Sequence, residues 1–295
     1  MYYFAYGFFY LLSLLPLRAL HIISDVLAGF NWYVLGYRKK IVLDNLRIAF
    51  PEKSDRERQK IARQFYKNFI DTFIETIKLL SVSNNWLLRH FTAEMYWFDE
   101  LYKRGKNCQV HLGHNFNWEM ANVRIPLTVP YQMLTVYMPI GSKIIDRLFY
   151  KIRSRTGAIM LPANKMKTAM RPYLGQQYML TLVADQNPGR PAQAYWEKFF
   201  GRLTPFVTGP EKGARLNNTA VLFAWLTKRK RGYYHAHFEL ATESPNELGE
   251  SELTKKYIAF LEGVIRETPE MWLWSHRRWK HEWKDEYARE VKSQN

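Results

Sequence analysis

Two short apolar segments, "NCQVHL" at 107–112 and "QQYMLTLVAD" at 176–185, constrain the fold of this chain most strongly. Each has the composition of a buried strand and ends in polar residues. Helical patterns surround them at 117–124, 143–153, 209–217 and 252–267. Because strands that alternate with helices pack as a sheet covered by helices, the sequence predicts an α/β fold. Neither an internal repeat nor a clear linker interrupts residues 38–295, so we expect one domain there.

The N-terminal segment has the composition of a membrane element. Residues 1–17 contain no charged side chain, Pro16 interrupts them, and apolar character continues to the basic cluster at 38–40. Seventeen residues lie at the lower limit of a membrane span, so a spanning helix and an interfacial helix both stay open, and a buried core helix is the alternative. Without a basic start or a small-residue cleavage site, residues 1–37 are predicted to be a retained anchor. The basic residues that follow favour a globular part on the cytoplasmic side.

The composition indicates an anionic partner. The chain has 295 residues with 43 Lys and Arg against 27 Asp and Glu, a formal charge of +16. Nucleic acid, a phospholipid surface, a phosphorylated substrate and an acidic carrier protein would all fit this charge. The sequence carries no nucleic-acid-binding motif, and its aromatic share of 16% favours a membrane interface. Cys108 is the only cysteine, so an internal disulfide is impossible and a thiolate zinc site would lack ligands.

Two further segments give local predictions. Residues 54–80 open with Ser54 and Glu57 in capping-box spacing and continue with apolar residues every four positions, which predicts a long amphipathic helix. The run "KRKR" at 228–231 lies between two strand-like pieces. It is interpreted as a solvated hairpin turn, with a docking patch for an acidic carrier protein as the alternative.

The segment "HLGHNFNWE" at 111–119 is the candidate catalytic element. His114 and Glu119 are five residues apart, but His281 and Glu286 share that spacing, so spacing alone says little. The pair can meet if His114 lies in the turn before a helix and Glu119 in its first turn, with Asn115 or Asn117 as the N-cap. His114 would then accept a proton from a substrate hydroxyl while Glu119 holds its other ring nitrogen. The alternative is a core histidine at a strand end with an incidental surface glutamate.

Four segments follow one another along the chain, namely "YRKKIVLDNLRIAFPE" at 37–52, "HLGHNFNWE", "VADQN...FFG...T...GP" at 183–210 and "PEMWLWSHRRWK" at 269–280. In this order they resemble the lipid A late acyltransferases of the lysophospholipid acyltransferase superfamily. The resemblance implies a single acyltransferase domain with a central mixed sheet flanked by helices. It also implies His114 as general base with Glu119 as its orienting partner. Phe116 stands where the family commonly has glycine, which leaves the turn geometry open.

The resemblance suggests further substrate-binding residues. They are Asn117 in the turn, Arg153 and Arg155 in "KIRSRTGAIMLP", Asp185 after the second strand, and Arg277 and Arg278 in "WSHRRWK". Asp185 would orient an active-site arginine or bind the acceptor, with a cap as the alternative. Arg277 and Arg278 would grip phosphates, with a structural segment as the alternative.

The implied activity is acyl transfer without cofactor or metal. The donor would be acyl carrier protein, or less often acyl-CoA, and the acceptor an anionic membrane lipid, most simply a lipid A precursor. The implied location is the bacterial inner membrane, with the catalytic part on the cytoplasmic face. Aminolipid, glycolipid and lysophospholipid acceptors stay open, and a basic membrane-surface binding protein without activity is the other class. Nucleic acid is not an expected partner.

Overall fold

A computed structural model of the chain describes residues 1–287. Its helices are α1 (Tyr2–Leu14), α2 (Leu17–Phe30), α3 (Lys39–Ala49), α4 (Asp55–Lys78), α5 (Asn84–His90), α6 (Tyr96–Lys103), α7 (Trp118–Arg124), α8 (Lys143–Ser154), α9 (Met166–Ala169), α10 (Gly209–Asn217) and α11 (Glu252–Glu267). A π-helical turn, Asn31–Leu35, continues α2. The predicted helices at 143–153, 209–217 and 252–267 are confirmed nearly to the residue. The pattern at 117–124 becomes α7 with its N-cap at 117.

The strands form a large mixed sheet and a separate hairpin. They are β1 (Phe91–Ala93), β2 (Cys108–Leu112), β3 (Gln132–Tyr137), β4 (Ile159–Pro162), β5 (Tyr178–Val183), β6 (Tyr195–Phe199), β7 (Arg202–Phe206), β8 (Ala220–Lys230) and β9 (Tyr233–Thr242). The large sheet has the order β1-β9-β8-β2-β5-β3-β4, and β6 pairs with β7. Within the large sheet only β8 and β9 run antiparallel among the described strands. The predicted α/β fold with a central mixed sheet is confirmed.

The long amphipathic helix α4 begins with the predicted capping box. The Ser54 side chain accepts from the Glu57 backbone, and the Glu57 carboxylate accepts from the Ser54 backbone at 2.8 Å. This reciprocal pair satisfies N–H groups that the first turn leaves unbonded. Most of the apolar face of α4 is covered, with Ala62 and Phe65 fully buried, while Phe73 is 42% exposed. The helix therefore packs as a central element beneath the N-terminal segment.

The N-terminal helices turn back on themselves and pack on α4. Among the described residues no single helix is long and apolar enough to cross a membrane, but α1 together with Leu17–Leu35 passes by length and composition, with a bend of 114° between them. The Ser24 hydroxyl donates to Asp71 of α4 at 2.6 Å, and His21 Nε2 lies 2.9 Å from Glu75. The division into an anchor at 1–37 and a catalytic part at 38–295 stays a prediction.

The run "KRKR" is a hairpin, but only half of it is solvated. Lys228 lies 3.5 Å from Asp71, and Arg231 binds the same carboxylate at 2.6 Å. Both side chains are mostly buried, whereas Arg229 and Lys230 are exposed. The interpretation as a fully solvated turn is therefore wrong, because a buried carboxylate on α4 needs cations nearby.

Hydrogen bonds join the segment at 37–52 to the segment at 269–280. The Asn45 amide donates to the carbonyls of Trp274 at 2.8 Å and His276 at 2.7 Å, and Arg38 donates to the carbonyl of Ser275 at 3.0 Å. Trp274 is fully buried. These bonds fix an irregular loop that would otherwise leave buried carbonyls unpaired.

Candidate active site

Sheet register brings His114 and Asp185 together. β2 and β5 are parallel neighbours, and their last residues, Leu112 and Val183, are paired. His114 and Asp185 are each the second residue after these paired ends. The carboxyl ends of parallel strands meet at one edge of a sheet, where ligands commonly bind in α/β folds. The two side chains therefore meet although 71 residues separate them in the chain.

The Asp185 carboxylate holds His114 by both its ring and its backbone. Asp185 Oδ1 is 2.6 Å from His114 Nδ1, and Oδ2 accepts from the His114 backbone N–H at 2.8 Å and from Trp272 Nε1 at 2.6 Å. Burial alone would raise the pKa of Asp185, but the charge of His114 and the hydrogen bonds from His114 and Trp272 lower it to about 2. Asp185 is thus an ionised carboxylate at neutral pH, and its Oδ1 accepts a hydrogen bond from His114 Nδ1–H.

The other ring nitrogen of His114 faces the site. With the proton on Nδ1, Nε2 carries the lone pair, and the Gln186 amide nitrogen lies 3.3 Å from it. The side chain of His114 is 20% exposed, and its ring packs edge-on against Trp118 with centroids 5.2 Å apart. An imidazole with Nδ1 held by a carboxylate and the lone pair on Nε2 can accept a proton from a bound hydroxyl that takes the place of the Gln186 amide.

Glu119 makes no hydrogen bond to His114, so its predicted role as orienting partner needs correction. Arg153 Nε donates to Glu119 Oε2 at 2.8 Å, and Arg153 Nη2 donates to Oε1 at 2.5 Å. Trp118 Nε1 also donates to Oε1, at 3.1 Å. Both carboxylate oxygens are therefore used by a bidentate ion pair, and Asp185 occupies the position beside His114 that the sequence analysis gave to Glu119.

Asn117 is the N-cap of α7 and not an accessible substrate ligand. Its Oδ1 accepts from the Met120 backbone N–H at 3.1 Å, and its Nδ2 donates to Glu75 Oε2 at 3.0 Å. The side chain is fully buried. The capping prediction is confirmed, and the prediction that Asn117 binds substrate is wrong because both ends of its amide are occupied inside the protein.

An apolar cavity opens beside His114. It has a volume of about 300 Å³, and its walls are one face of the large sheet and α7. Apolar lining residues include Val110, Leu112, Ile125, Met133, Met160, Met179, Leu226, Ala236 and Phe238. The polar lining residues are the minority and include His114, Glu119, Asn122, Thr135, Arg153, Thr181 and Gln186. Such a cavity suits a hydrocarbon chain with a polar head near His114.

Two of the predicted substrate-binding arginines, Arg155 and Arg277, lie away from the apolar cavity. Arg155 donates to the carbonyls of Leu79 and Val82, which ties the end of α8 to the end of α4. Arg277 is exposed, and its backbone carbonyl accepts from Asn187. Neither side chain lines the apolar cavity, so the structure does not bring them to His114.

Arg278 is a structural residue, which corrects the prediction that it grips phosphate. It is fully buried and donates to Asn187 Oδ1 at 3.0 Å and to the carbonyl of Pro205 at 2.8 Å. Its guanidinium carbon lies 4.1 Å from the centre of the Phe206 ring. Burial lowers the pKa of Arg278 to about 10. A guanidinium enclosed in this way packs the loop after β5 against β7.

Gly113 and Phe116 shape the catalytic turn. A Cβ at Gly113 would lie 2.6 Å from Leu261 Cδ1 and 3.2 Å from Asp185 Oδ2, so any larger residue would displace the Leu261 side chain and crowd Asp185. Phe116 is buried against Phe65 of α4, with ring centroids 5.9 Å apart, and its backbone N–H donates to the carbonyl of Met271 at 2.9 Å. The phenylalanine therefore fills a core position behind the turn.

The sequence analysis missed Trp272, Gln186 and Glu75 as site residues. Trp272 lies in the quoted segment at 269–280 but received no site role there, and its indole donates to Asp185. Gln186 directly follows Asp185 in the quoted segment, which was a usable signal. Glu75 gave no signal, because nothing in an amphipathic helix pattern identifies one buried acid as the partner of a distant N-cap.

Comparisons with known proteins find a matching family and several similar proteins. A family model described as bacterial lipid A biosynthesis acyltransferase matches residues 1–281. The lipid A biosynthesis palmitoleoyltransferase of Escherichia coli (strain K12) is 22% identical over 281 residues, which cover 94% of this chain and 90% of that protein. The lipid A biosynthesis acyltransferase of Shigella flexneri gives the same identity and coverage. Among solved structures, the 1-acyl-sn-glycerophosphate acyltransferase of Thermotoga maritima matches with 12% identity and a TM-score of 0.38, over 85% of this chain and 97% of that one.

Proposed function

The chain belongs to the bacterial lipid A biosynthesis acyltransferase family and is an acyltransferase, and we propose that it moves a fatty acyl group from a thioester to a hydroxyl of a lipid A precursor. The observation that carries this proposal is the His114–Asp185 pair beside the apolar cavity. The Escherichia coli relative is named as a palmitoleoyltransferase, but the acyl chain of this enzyme stays open, because chain length depends on cavity depth.

In the proposed reaction His114 is the general base. Its Nε2 accepts the proton of the acceptor hydroxyl as the oxygen attacks the thioester carbonyl carbon. The C–O bond forms, the tetrahedral intermediate collapses, and the C–S bond breaks. The departing thiolate takes the proton from Nε2, so His114 returns to its starting state. Asp185 holds Nδ1 and stabilises the imidazolium that exists between the two transfers.

We assign the apolar cavity to the acyl chain and Arg153 to the polar end of the substrates. Arg153 Nε and Nη2 are fixed by Glu119, so the guanidinium is held at the cavity wall. A guanidinium in this position can receive a phosphate or carbonyl oxygen without first losing side-chain freedom. Glu119 is then a positioning residue for Arg153.

The acidic acyl carrier protein is the proposed donor, and the cytoplasmic face of the bacterial inner membrane is the proposed location. The charge of +16 would attract both a carrier protein and an anionic leaflet. Helices α1 and α2 expose large apolar side chains, among them Phe4 at 86% and Val26 at 67%. Such a surface suits a lipid interface. Flotation with anionic vesicles tests this, and full-length protein that stays at the bottom of the gradient would contradict it.

Mass spectrometry of lipids after incubation with acyl carrier protein thioester and a lipid A precursor tests the reaction. We expect a product heavier by one acyl group, and His114→Ala should lower kcat by roughly 10²- to 10⁴-fold, the usual contribution of a general base. His281→Ala is the matched control, since that histidine lies outside the cavity lining and should retain activity. An active His114→Ala enzyme would refute the mechanism, and a product only with an aminolipid, glycolipid or lysophospholipid would change the acceptor.

A further inference from the structure

Three side chains with metal-binding atoms lie together at the edge of the large sheet, outside the active site. His235 and His237 are on β9, and Glu94 directly follows β1, the strand that pairs with β9. One ligand atom from each residue lies within 4.8 Å of the other two. We call these three residues the sheet-edge cluster.

The sheet-edge cluster lies on the opposite side of the sheet from the apolar cavity. Side chains alternate along a strand, and the neighbouring β9 residues Ala236 and Phe238 line the cavity. The side chains of His235, His237 and Glu94 are 13%, 25% and 48% exposed. An ion can therefore reach the cluster from solvent without entering the active site.

The Glu94 carboxylate already faces both imidazoles. Its Oε1 is 2.8 Å from His237 Nδ1 and 3.4 Å from His235 Nε2. Its Oε2 accepts from the Phe238 backbone N–H at 3.4 Å, which fixes the carboxylate. In a tetrahedral site with metal–ligand bonds of about 2.0–2.1 Å, neighbouring ligand atoms are roughly 3.4 Å apart. Side-chain shifts of about an ångström or less would thus enclose an ion.

The far nitrogen of each imidazole has a hydroxyl partner. Thr92 Oγ1 is 2.6 Å from His235 Nδ1, and Thr227 Oγ1 is 3.0 Å from His237 Nε2. Metal-binding histidines almost always donate their other ring N–H to an acceptor, which fixes the tautomer and the ring orientation, and a hydroxyl oxygen can serve as that acceptor. Trp225 also stacks on the His237 ring with centroids 4.8 Å apart. Both rings are therefore held with one nitrogen directed at Glu94.

One cation contacts the cluster from β8. Arg229 Nη2 lies 3.2 Å from His235 Nδ1. Its charge opposes a divalent ion, and its N–H competes with the tautomer in which His235 Nδ1 carries the proton. Removing this side chain should therefore not weaken metal binding, and it gives a control variant on the same face.

We propose that Glu94, His235 and His237 bind one divalent transition-metal ion of the zinc class, with water completing the coordination. Two imidazoles and one carboxylate are ligands that zinc accepts, whereas magnesium and calcium prefer oxygen alone. The ion would bridge β1 to β9, the strand whose other face lines the apolar cavity. The amino-acid sequence hides this site, because Glu94 and His237 are 143 residues apart.

Calorimetry and thermal unfolding with Zn²⁺ test the proposal on full-length protein without a polyhistidine tag, stripped with a chelator. We expect one Zn²⁺ per chain and a Tm that rises with Zn²⁺ but not with equal Mg²⁺. His237→Ala and Glu94→Gln should bind at least about tenfold more weakly, and Thr227→Val, which changes no ligand, roughly 10- to 100-fold more weakly.

Three variants separate the cluster from other histidines and from loss of folding. His281→Ala and Arg229→Ala should bind Zn²⁺ no more weakly than wild type. Glu94→Gln keeps the shape of the side chain, so its Tm without metal should stay near that of wild type. Wild-type protein without a Zn²⁺-dependent Tm, or Glu94→Gln and His237→Ala that bind like wild type, would overturn the proposal.

Discussion

The Asp185 carboxylate determines which nitrogen of His114 carries the proton, so Asp185→Asn is the most informative single substitution. An asparagine amide can donate to Nδ1 and place the proton on Nε2, which removes the base while the shape is kept. We expect kcat to fall about 10²- to 10⁴-fold, with little change in the KM for either substrate. Steady-state kinetics on both substrates measure this.

The double variant, His114→Ala with Asp185→Asn, is the control for Asp185→Asn. Two residues that act as one catalytic unit are strongly non-additive, so His114→Ala with Asp185→Asn should be scarcely slower than His114→Ala alone. The pKa of Asp185 is about 2, so its protonation should not contribute to any loss of activity between pH 5 and 8, a range in which the carboxylate stays ionised. Additive losses in the double variant would mean that Asp185 acts apart from His114.

Glu119 should be coupled to Arg153 and not to His114. Removing one partner of a buried ion pair leaves the other charge without compensation. We therefore expect Glu119→Ala and Arg153→Ala each to lower kcat/KM, and the double variant to lose less than the product of the two single losses. The cycle of Glu119→Ala with His114→Ala is the comparison. A stronger coupling in that second cycle would restore Glu119 as the partner of His114.

The residue-level predictions from sequence succeeded where chemistry is local and failed where pairing is distant. His114 in a turn before a helix, capped by Asn117, follows from residues that are neighbours in the chain. The partnership with Asp185 depends on the order of β2 and β5 in the sheet, which no spacing encodes. The shared position two residues beyond a strand end was the available signal. The sequence pattern around Arg278 does not distinguish a buried arginine from an exposed one.

At the scale of elements, Glu75 connects the N-terminal helices to the catalytic turn. This buried carboxylate on α4 contacts His21 of α2 at 2.9 Å, Asn117 at the start of α7 at 3.0 Å and the Tyr234 hydroxyl of β9 at 2.8 Å. A group bound to three elements fixes their relative positions. Since α7 follows the turn that carries His114, a shift of its first residue would change the geometry of the base.

We therefore expect Glu75→Gln to lower kcat by roughly tenfold or more while substrate KM changes little, because small misplacements of a reacting group are costly. Asp71→Asn is the matched control on the same helix. Asp71 is also buried but contacts Ser24, Lys228 and Arg231, none of which touches the catalytic turn. Kinetics and Tm are measured on both. If Glu75→Gln and Asp71→Asn lost equal kcat at an equal loss of Tm, Glu75 would act only by stabilising the fold.

The same elements explain which parts of the fold the sequence predicted. Helices with clear periodicity, such as α4, α10 and α11, need only local information. The interaction of Asn45 with the loop at 274–276 and the insertion of Arg231 beside Asp71 join distant segments. Both involve polar side chains that the sequence analysis placed at the surface or left unassigned, because burial of a polar group depends on a partner supplied by another element.

At the scale of the whole molecule, the charge of +16 should govern the encounter with an acidic donor protein. Attraction between exposed charges extends over about 30 Å at 0.01 M salt but only about 8 Å at 0.15 M. We expect the KM for the acyl carrier protein thioester to rise, roughly tenfold, between these conditions, while kcat changes less because the buried His114–Asp185 pair is weakly screened. Initial rates over a salt series give both constants.

A small neutral acyl thioester, with the same acyl chain and no carrier protein, is the control donor for this experiment. Its acyl chain would occupy the same apolar cavity, and the same base, His114, would act on the acceptor. Because it has no acidic carrier protein to be attracted by the basic surface, its KM should stay nearly constant with salt. If both donors responded alike, the salt effect would come from the lipid acceptor or the detergent. If neither responded, the positive surface would serve the membrane alone, and acyl-CoA would become the better candidate donor.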